Sequence, residues 1–169
     1  MDFFETDRLL LRSLKKSDAL LILQLNSDPA VMKYIGEIDT SLENAQAYVD
    51  LRVDGYADKK GLGIFVAELK NDSTPIGWFC LKQLDDTEEI EIGYRLLKEY
   101  WGNGYATEGA QVLLDAGFTN LNLSEIVGVT LPENIASQVV LKKIGLQYVG
   151  LARYYGFDLS YFKKLKSEH

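Results

Sequence analysis

The sequence predicts a mixed α/β domain of the α+β kind, and three observations predict it. Three short apolar runs, 63–70, 76–84 and 89–96, follow one another with only turn residues between them, which is the pattern of an antiparallel meander. At Gly104 the apolar period changes from two to about 3.6, as an amphipathic helix requires. Helical stretches also precede the meander, and a strand, a helix and a hairpin close the chain, so strands and helices do not simply alternate. The 169 residues fit a single domain spanning 1–169.

"RLLLRSL" (8–14) is an apolar run suited to a strand. Ser17 and Asp18 then offer an N-cap and an acidic first turn to the helix "ALLILQLN". Asp28 can cap, and Pro29 can open, a second short helix. Thr40 and Glu43 stand at capping-box spacing. Leu42, Ala45, Val49, Val53 and Tyr56 follow at helical intervals and predict a helix of about four turns. In the third strand of the meander, Ile90, Ile92, Tyr94 and Leu96 lie on one side and Glu89, Glu91, Gly93 and Arg95 on the other. Ala106, Ala110, Leu113, Leu114, Gly117, Phe118 and Leu121 form one helical stripe. "SEIVGVTL" (124–131) reads as a strand. Asn134 can cap the next helix, and Gly145 can end it with a left-handed residue. "LQYVGLARYY" and "FDLSYFKKL" predict two strands around Gly156.

Composition narrows the chemistry. No run of about 18 apolar residues exists, so no membrane span is expected. The opening "MDFFETDRLLLRS" lacks the pattern of a signal peptide, which predicts a cytoplasmic protein. A net charge of −7 argues against nonspecific nucleic-acid binding and is compatible with a basic substrate. One cysteine, Cys80, and one histidine, the terminal His169, exclude an internal disulfide framework and leave no set for a Cys/His zinc site. Cys80 lies within a strand run, where a cysteine is core rather than nucleophile. Chemistry is left to carboxylates, hydroxyls, lysine, backbone or a cofactor.

The most informative stretch is "EYWGNGYATEG" (99–109), a loop between a strand and a helix. Gly102 and Gly104 permit positive φ and close approach. Free N–H groups at the helix start carry partial positive charge, and together these features suit a pyrophosphate as well as a tight turn. A P-loop is excluded because no G-K-[ST] follows. A dinucleotide loop wants a third glycine where Thr107 stands, and Glu125 precedes its strand instead of ending it.

"YWGNGYATE" resembles the R/Q-G-x-G-x-G/A loop of the GNAT N-acetyltransferase superfamily. Trp101 and Ala106 bring it closest to the branch named for the ribosomal-protein alanine N-acetyltransferases RimJ and RimL. "TDRLLLRSLKKSDA" (6–19), "IEIGYRLLKEYWGNGYATEG" (90–109) and "NIASQVVLKKIGLQYVG" (134–150) resemble three blocks of that branch, in order and across nearly the whole chain. The resemblance implies the GNAT fold, a mostly antiparallel twisted sheet flanked by helices. It implies acetyl-CoA as co-substrate, with no metal, and a primary amine as acceptor, either a protein N-terminus or a small amine. Gly102, Asn103, Gly104, Tyr105, Ala106 and Thr107 would cradle the pyrophosphate. Leu96 would pair its backbone with the pantetheine arm, and Asn134 would contact the cofactor. Dimers are common in that branch; no segment of this sequence marks an interface.

Transfer to an amine needs a neutral nucleophile, a site for the oxyanion and help for the departing thiolate. An α-amine, with a pKa of about 7.7–8.0, needs only a modest base. Glu91 is the candidate base, its place in "EIGY" resembling the acid of the family's strand, with Glu89 and Glu108 as rivals. An alternating strand glutamate is equally read as the wet face of a sheet. Many family members place a tyrosine seven residues after the block's asparagine; here that position is Leu141, which weighs against the tyrosine-using polyamine acetyltransferases. Ser137, about one turn beyond Asn134, is the hydroxyl at hand for the thiolate, and it also suits a helix's first turn. Two other readings remain at this level: an acetyl-CoA-binding sensor, and a dinucleotide-dependent oxidoreductase.

Overall fold

The computed structural model describes residues 3–167; His169 lies outside them. The strands are β1 (Phe3–Glu5), β2 (Leu9–Ser13), β3 (Gly63–Leu69), β4 (Pro75–Gln83), β5 (Ile90–Leu96), β6 (Glu125–Thr130), β7 (Gln147–Tyr154) and β8 (Phe157–Leu165). The helices are α1 (Ala19–Ser27), α2 (Pro29–Met32), α3 (Leu42–Gly55), α4 (Tyr105–Thr119) and α5 (Ile135–Lys143). The strands form one sheet in the order β1-β2-β3-β4-β5-β6-β8-β7. Every neighbouring pair is antiparallel except β5 and β6.

The predicted meander is β3-β4-β5, in continuous register from Gly77↔Leu96 to Gln83↔Ile90. β1 went unanticipated because three residues carry no periodic signal; it is held by pairing with β2 and by Phe4, which packs edge-on against Phe65 at 5.2 Å. Helix boundaries follow their caps. The Asp28 carboxylate accepts from Ala30 N–H at 2.8 Å with Pro29 at the first position. Asn134 accepts from Ser137 N–H at 3.3 Å. Gly145, at φ 99°, ends α5. The cap of α3 is Ser41, not Thr40: its hydroxyl accepts from Asn44 N–H at 3.1 Å. Asp18 caps no helix with its side chain; it accepts from Lys15 N–H at 2.7 Å and pairs with Arg12 at 2.9 Å.

Two main cores form, one on each face, beside a small third cluster of Leu84, Val127 and Tyr161. Ala110, Leu113 and Leu114 of α4 pack with Phe79, Ile92 and Phe162. Ile22 and Leu25 of α1 and Val49 of α3 pack with Val66, Trp78 and Cys80 on the other face. α4 lies so close to the sheet that a Cβ on Gly109 would meet the fully buried Phe79 ring at 2.3 Å. Gly109→Ala is therefore expected to overpack this contact and lower unfolding stability by about 1–3 kcal/mol, read by chemical denaturation.

Candidate active site

The site begins where the sheet comes apart. β5 and β6 share a single ladder pair, Glu91↔Val127. Beyond it their edges diverge, and a cleft of about 610 Å³ opens through the sheet. Ile92, Tyr94, Asn134 and Ser137 line its α4–α5 side, and Glu91, Gly93, Arg95 and Trp78 its α1–α3 side. Backbone hydrogen bonding missing from a ladder must be met by water or a ligand, so an extended amide-bearing chain suits this gap.

Glu91 lies on the cleft and is only 8 % exposed, so it does not belong to a wet face. Lys82, its cross-strand partner, approaches it at 2.9 Å. The Tyr155 hydroxyl donates to it at 3.1 Å. Burial works against the Lys82 ammonium, but Glu91, Cys80 and Tyr155 together outweigh it and hold that pKa above the ordinary lysine range. Burial likewise raises the Tyr155 phenol.

The rival carboxylates are engaged away from the cleft. Glu89 accepts from Tyr154 at 3.0 Å and from Tyr161. Glu108 accepts from the Thr6 hydroxyl at 2.5 Å and pairs with Arg8 at 2.6 Å, tying the N-terminal segment to α4. Burial opposes its charge, yet these donors bring its pKa below the usual glutamate value. Cys80 is 1 % exposed, and burial pushes its thiol up to about 12, so it is no nucleophile at neutral pH.

Ser137 and Asn134 reach the cleft from the first turn of α5. The Asn134 side-chain oxygen is used by the cap, which leaves its NH₂ to face a ligand. Ser137 Oγ stands 3.4 Å from Tyr94 Oη, whose pKa burial raises. Leu141, at the position where a tyrosine is common, is buried in the α4-side core.

The glycine loop stands apart from the cleft lining, at the start of α4. Gly102 and Gly104 have φ of 77° and 82°, which favours glycine on conformational grounds. A Cβ on Gly102 would meet nothing within 4 Å, so the loop's outer side is open. No side chain caps α4, so the N–H groups of Tyr105, Ala106 and Thr107 have no helical partner. Asn103 Nδ2 donates to the Tyr100 and Trp101 carbonyls at 3.2 and 3.1 Å and holds the loop's shape. Trp101 Nε1 donates to the Leu96 carbonyl at 2.9 Å. That oxygen is thus already engaged by the loop, and Leu96 itself lies outside the cleft lining. Open, uncapped N–H groups beside two glycines fit the diphosphate of a coenzyme. Arg8 stacks over the Tyr105 ring at 4.3 Å at the same place, its charge offset by Glu108 at 2.6 Å.

Sequence reading missed Lys82, Tyr94, Tyr155 and Arg8. Their partners lie far along the chain, Tyr155 meeting Glu91 across 64 residues and Arg8 meeting Glu108 across 100. Among the described residues no group of three or more His, Cys, Asp or Glu could hold a metal ion, and no helix is long and apolar enough to cross a membrane.

Comparison with known proteins accounts for this arrangement. Residues 8–147 match the Acetyltransferase (GNAT) domain. The chain is 36% identical over 157 residues to the uncharacterized N-acetyltransferase YoaA of Bacillus subtilis, covering 91% of this chain and 88% of that one. It superposes on a GNAT-family acetyltransferase from Bacillus anthracis with a TM-score of 0.82 at 28% identity, covering 99% of this chain and 100% of the other. The ribosomal-protein-S5-alanine acetyltransferase of Vibrio fischeri shares the fold, with a TM-score of 0.81 at 22% identity over 99% and 98% of the two chains. A sheet split between β5 and β6, a glycine loop opening α4 and a family match across most of the chain lead to one conclusion: the protein belongs to the GNAT family of acetyl-CoA-dependent N-acetyltransferases.

Proposed function

We propose that the chain, acting as one domain, moves an acetyl group directly onto a primary amine, a protein N-terminus or a small amine, bound at the cleft between β5 and β6. The observation that carries this reading is the cleft itself, where Glu91 and Ser137 line one through-sheet opening from opposite faces. Acetyl-CoA supplies an activated thioester, whose C–S bond breaks as the C–N bond forms.

The protein's own groups do the rest. Gly102 through Thr107 hold the pyrophosphate on backbone N–H groups, with Asn103 keeping the loop in shape. The backbone of β5 beyond Glu91, up to Leu96, binds the pantetheine amides through those N–H groups that face the gap and not β4. Asn134 donates its side-chain NH₂ to the same arm. Glu91, on the α1–α3 side, takes the proton that the amine must lose. Its proximity to Lys82 and Tyr155 fixes its orientation. Ser137, backed by Tyr94, donates a hydrogen bond to the leaving sulfur.

Calorimetric titration tests the reading first. Acetyl-CoA is expected to bind in the micromolar range and NAD not at all; binding of NAD in its place would support an oxidoreductase. Binding without acetylation of any amine would support a sensor. Ser137→Ala is expected to lower kcat by about 10- to 100-fold, the scale of one lost transition-state donor, with acetyl-CoA affinity kept. An unchanged kcat would pass the thiolate role to Tyr94, and Tyr94→Phe would then carry the loss.

A further inference from the structure

The cleft does not share the charge of the chain. Its lining carries Lys33, Arg52, Lys82 and Arg95 against one carboxylate, Glu91, in a chain of net charge −7. Lys82 and Glu91 offset each other at 2.9 Å. The surplus falls on the α1–α3 side, where Arg52 of α3 and Arg95 of β5 stand. Arg95 lies 5.1 Å over the Trp78 ring and donates from Nη1 to Asn26 Oδ1 at 2.9 Å. Arg52 lies 5.1 Å over the Tyr48 ring. Among the described residues, neither guanidinium pairs with a carboxylate.

A second observation points the same way. Three donors of this wall are closed off from water and have no acceptor: Arg52 Nε, Trp78 Nε1 and Arg95 Nε. They come from three separate elements, β4, β5 and α3. Buried donors are normally paired, so three orphans within one wall mark a wall short of acceptors, whose guanidiniums keep their remaining N–H groups for a ligand. Arginine's planar fork suits a carboxylate in particular.

The position fits an amine substrate and not the coenzyme phosphates. Arg95 shares a face of β5 with Glu91, with Gly93 between them. The opposite face carries Tyr94 and the helix α4, whose N-terminus bears the glycine loop. Gly93 adds no side chain between base and guanidinium, and a Cβ there would meet its cross-strand neighbour Cys80 Sγ at 3.2 Å.

We propose that the acceptor is a primary amine that also carries a carboxylate, held by Arg95 and Arg52 while its amine meets Glu91 over Gly93. This rests on the acetyltransferase reading and narrows its substrate. A free amino acid and a peptide N-terminus with an acidic neighbour offer the same chemistry. The overall charge is compatible with a basic substrate, but Glu91 is the one carboxylate in the cleft lining, so that charge does not describe the cleft.

The test compares initial rates for L-alanine and L-glutamate with L-alaninamide and spermidine, and for the peptide amides Ala-Glu-Ala and Ala-Lys-Ala. Carboxylate acceptors are expected to exceed their uncharged or cationic counterparts at least about tenfold in kcat/KM; the peptide pair separates the two sources. Arg95→Gln and Arg52→Gln are expected to raise KM for the carboxylate acceptor by about 10- to 100-fold, the scale of a lost charge-assisted hydrogen bond. Arg95→Lys should recover part of this, and acetyl-CoA affinity should stay unchanged. Arg52→Gln stands as the second variant because Arg95 also holds Asn26. Equal or better turnover of alaninamide or spermidine overturns the proposal, as does an unchanged KM in both variants. Weakened acetyl-CoA binding in them reassigns the arginines to the coenzyme and overturns it too. If no amine is acetylated, the enzymatic reading has failed. The subsite is then judged alone by titrating N-acetyl-L-alanine and its amide into the CoA-loaded protein. Binding of the acid only supports the subsite; binding of neither overturns it.

Discussion

Glu91→Ala is expected to lose both turnover and stability, and a second substitution separates the two losses. Removing the carboxylate leaves the Lys82 ammonium, 12 % exposed, without its 2.9 Å partner. Breaking one side of a buried pair costs about 3–5 kcal/mol, because the remaining charge stays desolvated. Loss of a general base costs about 10²–10⁴ in rate. In Glu91→Ala/Lys82→Met both partners are apolar, and such replacements of buried pairs are often neutral. The double variant is thus expected to regain most of the unfolding free energy in urea and none of the rate of CoA release. Rate returning with stability would assign Glu91 to holding the fold.

The second large effect is on coenzyme binding. Gly104→Val places a β-branched residue at φ 82°, a conformation such side chains rarely adopt. Space is not the obstacle: a Cβ there meets Arg8 Nη2 at 3.4 Å, an ordinary contact. The cost is backbone strain of about 1–3 kcal/mol. The loop relieves it by turning the N–H groups at the start of α4 away from the phosphate position. The dissociation constant for acetyl-CoA is expected to rise at least about tenfold by calorimetry. Gly104→Asn is the control, since asparagine tolerates the left-handed region, and it should keep most of the affinity. Equal weakening in both variants would trace the loss to the added side chain and not to φ.

Some of this site was legible in the residues alone because its causes are local. Gly102 and Gly104 permit positive φ whatever surrounds them, and an uncapped helix start offers its N–H groups within the same few residues. Asn134 and Ser137 sit one turn apart for the same local reason. Alternation along 89–96 put Glu91 and Arg95 on one face of the strand, as found.

What surrounds those residues was decided by the fold. Alternation alone leaves Glu91 on a wet face or in a site with equal ease. Its burial comes from Lys82 one strand away and from Tyr155, 64 residues on, at the tip of the β7–β8 hairpin. Only packing could turn Glu108 into a clasp for Arg8 and enclose Glu89 among Tyr154 and Tyr161. The charge of the cleft was hidden for the same reason: a sum over the chain gives −7, while the charged residues that line one opening are mostly cationic. By itself, the sequence determined the order of the elements from β2 onward, the glycine loop and the residue types available for chemistry, because these depend on neighbours within a turn or a strand. The tertiary structure alone decided where the sheet parts, which carboxylate faces the opening and which guanidiniums line it, because each depends on contacts between segments that chain distance does not bring together.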